Sequence, residues 1–334
     1  MNIKALESWY LKHQRELSFR KSNNPYHIWV SEVMLQQTQV DTVIPYFDRF
    51  IKVFPTLVDL AKADEEFLIK QVEGLGYYRR FRNMHKAAKL IAQKYQGLFP
   101  NTYQDVLSLP GIGHYTAGAI MSIAYGKPYS ATDGNVIRVL SRYLGDDRDF
   151  RLEKNKRALD RINQNYIEKS HPEIYTQALM ELGATLCKPS NPICDKCPLQ
   201  EHCVGYQNQM QHMYPNLSKL SKPKPIHYIV LIVYDKNHYY LTKRSEELLK
   251  GMYAYPQYEF DSVLALENYL SNLGVFVDID HTAYRYKHTF SHQIWHMEVH
   301  YAKLIGQPDS SWIKLSEEAL NQIPMAVAHR KIKR

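Results

Sequence analysis

Leu109 to Ile120 reads LPGIGHYTAGAI, and this stretch decides how the first half of the chain is built. Pro110 ends the helix before it, Gly111 and Gly113 permit backbone conformations that other residues resist, and an apolar-periodic helix begins at once afterwards. Such a turn presents free amide N–H groups at a helix N-terminus, which is an anion site. Read alone, it is also a tight corner between two helices with glycines present for steric reasons. Around it, from residue 1 to about 210, apolar residues recur at helical spacing, as in Val30, Val33, Met34 and Val40, and again in Val136, Val139, Leu140 and Tyr143. This half is expected to be almost entirely helical.

Downstream, all four cysteines fall in CKPSNPICDKCPLQEHC, at Cys187, Cys194, Cys197 and Cys203, spaced C-x6-C-x2-C-x5-C. Four thiolates on one short segment can converge on a tetrahedral or cubane centre, and Pro189, Pro192 and Pro198 let the chain wrap around it. Two disulfides are an alternative, but they suit small secreted domains, and the N-terminus shows no apolar signal segment. Zinc is the stronger rival, although its sites usually join two close pairs far apart in sequence. The spacing favours an iron–sulfur cluster.

Lys and Arg outnumber Asp and Glu by 42 to 34 over 334 residues, a net charge of +8 that suits a polyanionic partner but is also common on soluble proteins. The amphipathic start MNIKALESWYLKHQRELSFR and the lack of a long apolar run lead us to expect a soluble, cytoplasmic, non-membrane protein, acting as a monomer. The segment from 207 to 226 is polar and rich in Lys and Pro, the composition of a linker. We therefore expect a helical domain over 1–206 and a second domain over 227–334. In the latter the apolar period changes to two: Trp295, Met297, Val299 and Tyr301 alternate with His296, Glu298 and His300, and IVLIVYD after Tyr228 reads as a buried strand. A helix is expected from Ser262 to Leu273 with Gly274 as its stop, making this domain mixed α and β. His288, His292, His296 and His300 are read as exposed polar-face residues rather than metal ligands.

LPGIGHYTAGAI, TDGNVIRVLSR at 132 to 142 and the cysteine loop together resemble the helix-hairpin-helix DNA glycosylases of the endonuclease III superfamily. Within it, SEVMLQQTQV at 31 to 40, VIPYF at 43 to 47 and GLGYY at 74 to 78 resemble the adenine DNA glycosylase (MutY) family. The resemblance implies a mostly α-helical helix-hairpin-helix glycosylase domain with a 4Fe-4S cluster loop, followed by a C-terminal α+β Nudix-like domain. It implies hydrolysis of the N-glycosidic bond of adenine mispaired with 8-oxoguanine or guanine in double-stranded DNA, a base excision repair activity.

Cleaving that bond needs an acid to protonate the departing base and an anion to stabilise the oxocarbenium-like sugar. Glu32 shares a helical face with Ile28, Leu35 and Gln36, whose apolar members favour a protonated carboxyl. Asp133 stands just ahead of an amphipathic helix, whose N-terminal dipole favours the ionised form. By position alone they also read as a solvated carboxylate and a plain N-cap. The resemblance assigns Glu32 as the acid at adenine N7, Asp133 as the carboxylate at the anomeric carbon, and Tyr115 and Asn135 as its support. Family members that also nick the strand carry a lysine at the position of Tyr115, so a monofunctional enzyme is implied. Flipping a base out of the duplex needs wedge and gripping residues, and GLGYYRRFRNMHKAAK at 74 to 89 interleaves Tyr77 and Tyr78 with Arg79, Arg80, Arg82 and Lys86, a pattern that also reads as a solvated basic helix with core tyrosines. The resemblance assigns Gln37 and Tyr77 to the gap left in the base stack, and Arg20 and Gln177 to the adenine pocket with Leu17 and Phe19 nearby. LSFR stands where the family has LPWR, so Phe19 occupies a tryptophan position. Phe290, Ser291 and His292 match the loop that reads 8-oxoguanine, with Phe290 as a wedge. The helix DSVLALENYLSNLG lacks the glutamates of a working Nudix site, so pyrophosphate hydrolysis is not expected. The rival readings are a pyrimidine-damage glycosylase with lyase activity, a noncatalytic iron–sulfur DNA-binding protein and a soluble electron carrier.

Overall fold

Helical spacing in the first half becomes, in the computed structural model, which describes residues 1–332, a succession of helices cut by prolines, glycines and polar caps. They are α1 (Ile3–His13), α2 (Pro25–Leu35), α3 (Val40–Val53), α4 (Leu57–Lys62), α5 (Glu65–Gln71), α6 (Arg79–Lys94), α7 (Tyr103–Leu107), α8 (His114–Tyr125), α9 (Gly134–Leu144), α10 (Glu153–Ile167), α11 (Pro172–Thr185) and α12 (Val204–Gln207). Two compact units are present, one made of 1–62 and 80–219, the other of 63–79 and 220–332.

In the first unit, α8 packs on α2 and on α11, and α9 packs on α11. α2 starts at Pro25, whose fixed φ suits a first turn, with the Asn24 side chain accepting from the Tyr26 N–H at 2.9 Å. α2 is apolar on nearly every side and is buried from Tyr26 and Ile28 through Met34, which draws Glu32 inside with it. Its C-terminal carbonyls are closed by Arg80, whose Nη1 donates to Val33 at 2.8 Å and Met34 at 3.0 Å. Arg80 is therefore an internal cap on α2, not the exposed phosphate-gripping residue expected from the sequence; an Arg fork satisfies orphan helix-end carbonyls better than water does. α8 ends at Gly126 and α9 at Gly145, both in the left-handed conformation that glycine adopts without strain.

The second unit carries β1 (Lys224–Asp235), β2 (His238–Lys243), β3 (Tyr253–Ala254), β4 (Gln257–Tyr258), α13 (Val263–Asn272), β5 (Val277–Ile279), β6 (Tyr284–Thr289), β7 (Gln293–Leu304), β8 (Ile313–Ser316), α14 (Glu317–Gln322) and α15 (Val327–Arg330). The sheet runs β3-β2-β1-β7-β5, with β1 and β7 parallel and Tyr228 opposite Met297. Off this path β6 pairs antiparallel with β7. Apolar residues cover both faces: Val230, Ile232, Trp295 and Met297 face Leu320 and Ala328, while Ile229, Leu231 and Ala302 face Leu266 and Leu270 of α13. That two-sided cover explains why IVLIV is a continuous run, as in a parallel sheet buried on both faces. It also buries His300, which the alternation had placed on an exposed face; its Nδ1 lies 2.9 Å from the Asp280 carbonyl and its Nε2 3.1 Å from Glu298. α13 is capped by Ser262, whose hydroxyl accepts from the Ala265 N–H.

Candidate active site

Glu32 is 4 % exposed, and its Oε2 accepts a short hydrogen bond from the Tyr115 hydroxyl on α8. Burial holds its carboxyl above the usual range, opposed by the Tyr115 bond and the Arg20 charge and reinforced by the negative charge of Asp133. The Tyr115 hydroxyl is pushed well above its ordinary range by burial and then by Glu32 and Asp133, so it acts as a donor. Asp133 is the N-cap of α9: one carboxylate oxygen accepts from the Val136 N–H at 2.7 Å, the other from Asn135 Nδ2 at 3.0 Å. Burial raises Asp133 too, outweighing these hydrogen bonds and the Arg138 charge. This corrects the expectation that the helix N-terminus would dominate at Asp133; two carboxyl groups in one low-dielectric place both resist ionisation, with the better hydrogen-bonded one favoured for the charge.

A narrow pocket of about 10 Å³ opens beside Glu32, lined by Phe19, Arg20, Ser22, Ile28, Ser31, Ile123 and Gln177. Four residues nominated from sequence, Phe19, Arg20, Glu32 and Gln177, thus share one tight slot. Phe19 is buried, with its ring edge-on to Phe47, and Leu17 is buried just before it. Arg20 reaches Glu181 at 3.5 Å, and Glu181, 1 % exposed, is forked by Arg15 at 2.6 and 3.0 Å. Sequence reasoning missed Glu181. It lies four residues after Gln177 on α11, and that spacing was the available signal.

At the hairpin, Gly111 has φ 78°, and a Cβ there would lie 2.6 Å from Asn83 Cβ. Gly113 differs from expectation: at φ −99°, ψ 179° its backbone is extended, open to any residue, and among the described residues, its own chain neighbours apart, no atom stands within 4 Å of where a Cβ would sit. Gly113 caps the exposed start of α8, where first-turn N–H groups lack helical acceptors. Gln37 (φ 61°) and Tyr77 (φ 48°) are both exposed and both in the left-handed region, uncommon for residues with side chains. Phe290, Ser291 and His292 form the tip between β6 and β7, where the Phe290 N–H donates to the Gln293 carbonyl at 2.8 Å. Phe290 turns onto Trp295, ring centroids 4.8 Å apart, rather than outward as a wedge; Ser291 and His292 are exposed.

The four cysteines are free thiols around one pocket of about 30 Å³, otherwise lined largely by apolar side chains. Among the described residues no three His, Cys, Asp or Glu side chains close on a single metal-ion position. Burial pushes the Cys197 thiol up to about 12, so several thiolates here need a positive centre beside them. Arg142 of α9 supplies part of it, 3.4 Å from Cys187 Sγ and donating to the carbonyls of Lys188 and Pro189 at 2.7 and 2.9 Å. One turn earlier on α9, Arg138 donates to the Cys187 and Gly183 carbonyls and to Asn135 Oδ1. The helix that begins at Asp133 therefore also braces the cysteine loop. Among the described residues the buried Gln211 Oε1 on the pocket wall finds no hydrogen-bond partner. Thiol donor set, enclosure and adjacent cation together fit an iron–sulfur centre.

Residues 30–168 match the HhH-GPD superfamily of base excision DNA repair proteins, and residues 228–334 match the NUDIX domain. The chain is 38 % identical over 260 residues to the adenine DNA glycosylase of Buchnera aphidicola from Baizongia pistaciae, covering 75 % of this chain and 72 % of the relative. It is 33 % identical over 298 residues to the adenine DNA glycosylase of Buchnera aphidicola from Schizaphis graminum, covering 87 % and 84 %. The human adenine DNA glycosylase is 40 % identical over 216 residues, 62 % of this chain and 40 % of that one. Among solved structures, a thermostable thymine-DNA glycosylase superposes with TM-score 0.56 at 26 % identity, covering 62 % of this chain and 95 % of the other. A trapped endonuclease III–DNA covalent intermediate superposes with TM-score 0.52 at 26 % identity, with the same coverage. The described residues include no helix long and apolar enough to cross a membrane. The chain belongs to the adenine DNA glycosylase family, helix-hairpin-helix base excision repair enzymes that carry a C-terminal NUDIX domain.

Proposed function

We propose that this enzyme hydrolyses the N-glycosidic bond of adenine mispaired with 8-oxoguanine, and of adenine opposite guanine, in double-stranded DNA. One observation carries the reading: a buried, proton-retaining Glu32 joined to Tyr115, within electrostatic reach of the N-cap carboxylate Asp133, beside a slot that also holds Arg20 and Gln177. In the proposed reaction Glu32 delivers its proton to N7 of the extruded adenine, which weakens the bond to the sugar. Asp133, held by the Val136 N–H and Asn135, stabilises the positive charge that develops at the anomeric carbon until water adds there and gives up a proton to the Glu32 carboxylate, restoring the acid. Tyr115 keeps Glu32 oriented, and as it offers no amine, no Schiff base forms and the strand is left intact.

Arg20, fixed by Glu181, and Gln177 line the base slot. Gly111 and Gly113 bring the backbone of the hairpin to a phosphate; the open space at Gly113 leaves room for one. Gln37 and Tyr77 fill the vacated stack, and Ser291 and His292 read the opposite base from the β6–β7 tip. Cys187, Cys194, Cys197 and Cys203 would hold a 4Fe-4S cluster, which when bound ties down the loop and neutralises the thiolates.

A labelled duplex with one 8-oxoguanine:adenine pair tests the proposal. Strand breakage at the adenine only after alkali is expected. Breakage without alkali, or borohydride trapping of the protein, favours the lyase reading instead, and an intact adenine with retained binding favours a noncatalytic DNA-binding protein. Asp133→Asn should abolish base release while sparing duplex binding. Loss of binding would make Asp133 a structural cap only. A brown protein with about four irons per chain is expected on purification.

A further inference from the structure

Residues 63–79 lie in the same compact unit as the NUDIX domain and end in the loop that carries Tyr77. Glu73, immediately before that loop, is gripped by Arg330 of α15: Nε donates to one carboxylate oxygen at 2.7 Å and Nη2 reaches the other at 3.4 Å. The remaining donors of the guanidinium reach the carbonyls of Leu320 at 2.8 Å and Ile323 at 2.9 Å, at the end of α14. Lys70 joins the same cluster, 2.7 Å from Glu73 and 3.2 Å from the Ile323 carbonyl. The Glu73 side chain is 14 % exposed and that of Arg330 26 % exposed, so this network is far better shielded than a surface ion pair. At the other end of α5, Glu66 pairs with Lys243 of β2.

Between Glu73 and Tyr78 the chain makes a tight arch through Gly74 (φ 105°), Gly76 (φ 69°) and Tyr77 (φ 48°). Tyr78 is buried and its hydroxyl accepts from the Gly74 N–H at 3.0 Å, closing the arch at its base. Tyr77 stands at the top, 52 % exposed. A residue with a side chain keeps a left-handed backbone only where its surroundings hold it there. An exposed aromatic in that conformation, on an arch fastened at both feet, is a pre-formed finger.

We propose that Arg330 is a positioning residue for Tyr77: the NUDIX domain, through the Arg330–Glu73 fork, sets the finger that replaces the extruded adenine in the stack. This rests on the reading of Tyr77 given under the proposed function. The C-terminal domain then acts in adenine extrusion as well as on the opposite base, through a contact made to the protein and not to DNA.

The test uses the full-length protein and stopped-flow fluorescence of a duplex with 2-aminopurine beside the adenine opposite 8-oxoguanine. Arg330→Gln and Glu73→Gln should each slow extrusion by between about tenfold and a hundredfold, the scale of a misplacement near 1 Å. Affinity for a product duplex with an abasic site should stay close to that of the parent. The pair Glu73→Arg with Arg330→Glu should recover much of the rate. In a Tyr77→Ala background, Arg330→Gln should add nothing, because the residue through which it acts is gone. Additive slowing there, or a parallel loss of abasic-duplex binding and of the thermal midpoint, would reduce the fork to a general brace and overturn the proposal. Parent-like extrusion in folded Arg330→Gln and Glu73→Gln proteins would overturn it as well. If the parent enzyme itself gives neither extrusion signal nor adenine release, the functional reading fails first, which separates the two failures.

Discussion

Glu32 is held in a state that suits proton donation and costs the fold. Because burial raises its pKa in the folded protein, the native state binds this proton more tightly than the unfolded chain does. Its contribution is therefore fully present below the unfolded carboxylate pKa and is lost as pH rises through the raised folded value. On the proposed role of Glu32 as the acid, base release in single turnovers should decline over that same rise. Glu32→Gln should lower the single-turnover rate by about 10²–10⁴-fold, remove the alkaline decline and leave duplex binding intact. It should also stabilise the protein at neutral pH by on the order of 1 kcal/mol, read from denaturant unfolding, because a buried ionisable group is replaced by a neutral isostere. A Glu32→Gln protein that is less stable and still active would refute this account of the acid. SEVMLQQTQV made Glu32 legible as a candidate, since its neighbours are local in sequence. Glu181 was legible only through its spacing to Gln177: its task is to receive Arg15 and Arg20, and Arg15 lies 166 residues away.

Among the elements, α8 and the turn leading into α9 meet with almost no tolerance. A Cβ on Gly118 would lie 1.9 Å from the Ser130 carbonyl oxygen, only three residues before Asp133. Gly118→Ala should therefore destabilise the protein by more than about 4 kcal/mol in chemical denaturation or prevent its accumulation, and any folded fraction should release base slowly. Gly113→Ala is the contrast. Among the described residues no atom beyond its chain neighbours opposes that methyl and its backbone is ordinary, so stability should change by less than about 1 kcal/mol while duplex affinity drops, measured by titration. Unchanged affinity would mean that no phosphate approaches there. The helices, the buried strand after Tyr228, the alternating strand through Trp295 and the α13 helix were readable because periodicity and stop signals are local. The inward turn of Arg80, the burial of His300 and the packing of Phe290 on Trp295 were not, because each depends on an element that packs from elsewhere along the chain.

For the molecule as a whole, the allegiance of 63–79 was not legible in the sequence, since nothing in Glu66 or Glu73 announces Lys243 or Arg330 as partners. Charge acts at this scale too. A net +8 spread over a DNA-binding enzyme attracts any duplex, so total affinity and discrimination rest on different groups. Lysines and arginines release condensed counterions whatever the base sequence, whereas in the proposed reading the Glu32 slot and the Ser291–His292 tip distinguish one pair from another. If about six phosphates are neutralised, affinity for an 8-oxoguanine:adenine duplex should fall on the order of 10³-fold between about 50 and 200 mM salt. A fully paired duplex should fall in parallel, so that the ratio of the two affinities changes little. Fluorescence anisotropy on both duplexes across that range, with Glu32→Gln protein to prevent turnover, measures it. A ratio that collapses as salt rises would place discrimination in the charged surface itself, and the division of labour between basic surface, base slot and hairpin tip would then be wrong.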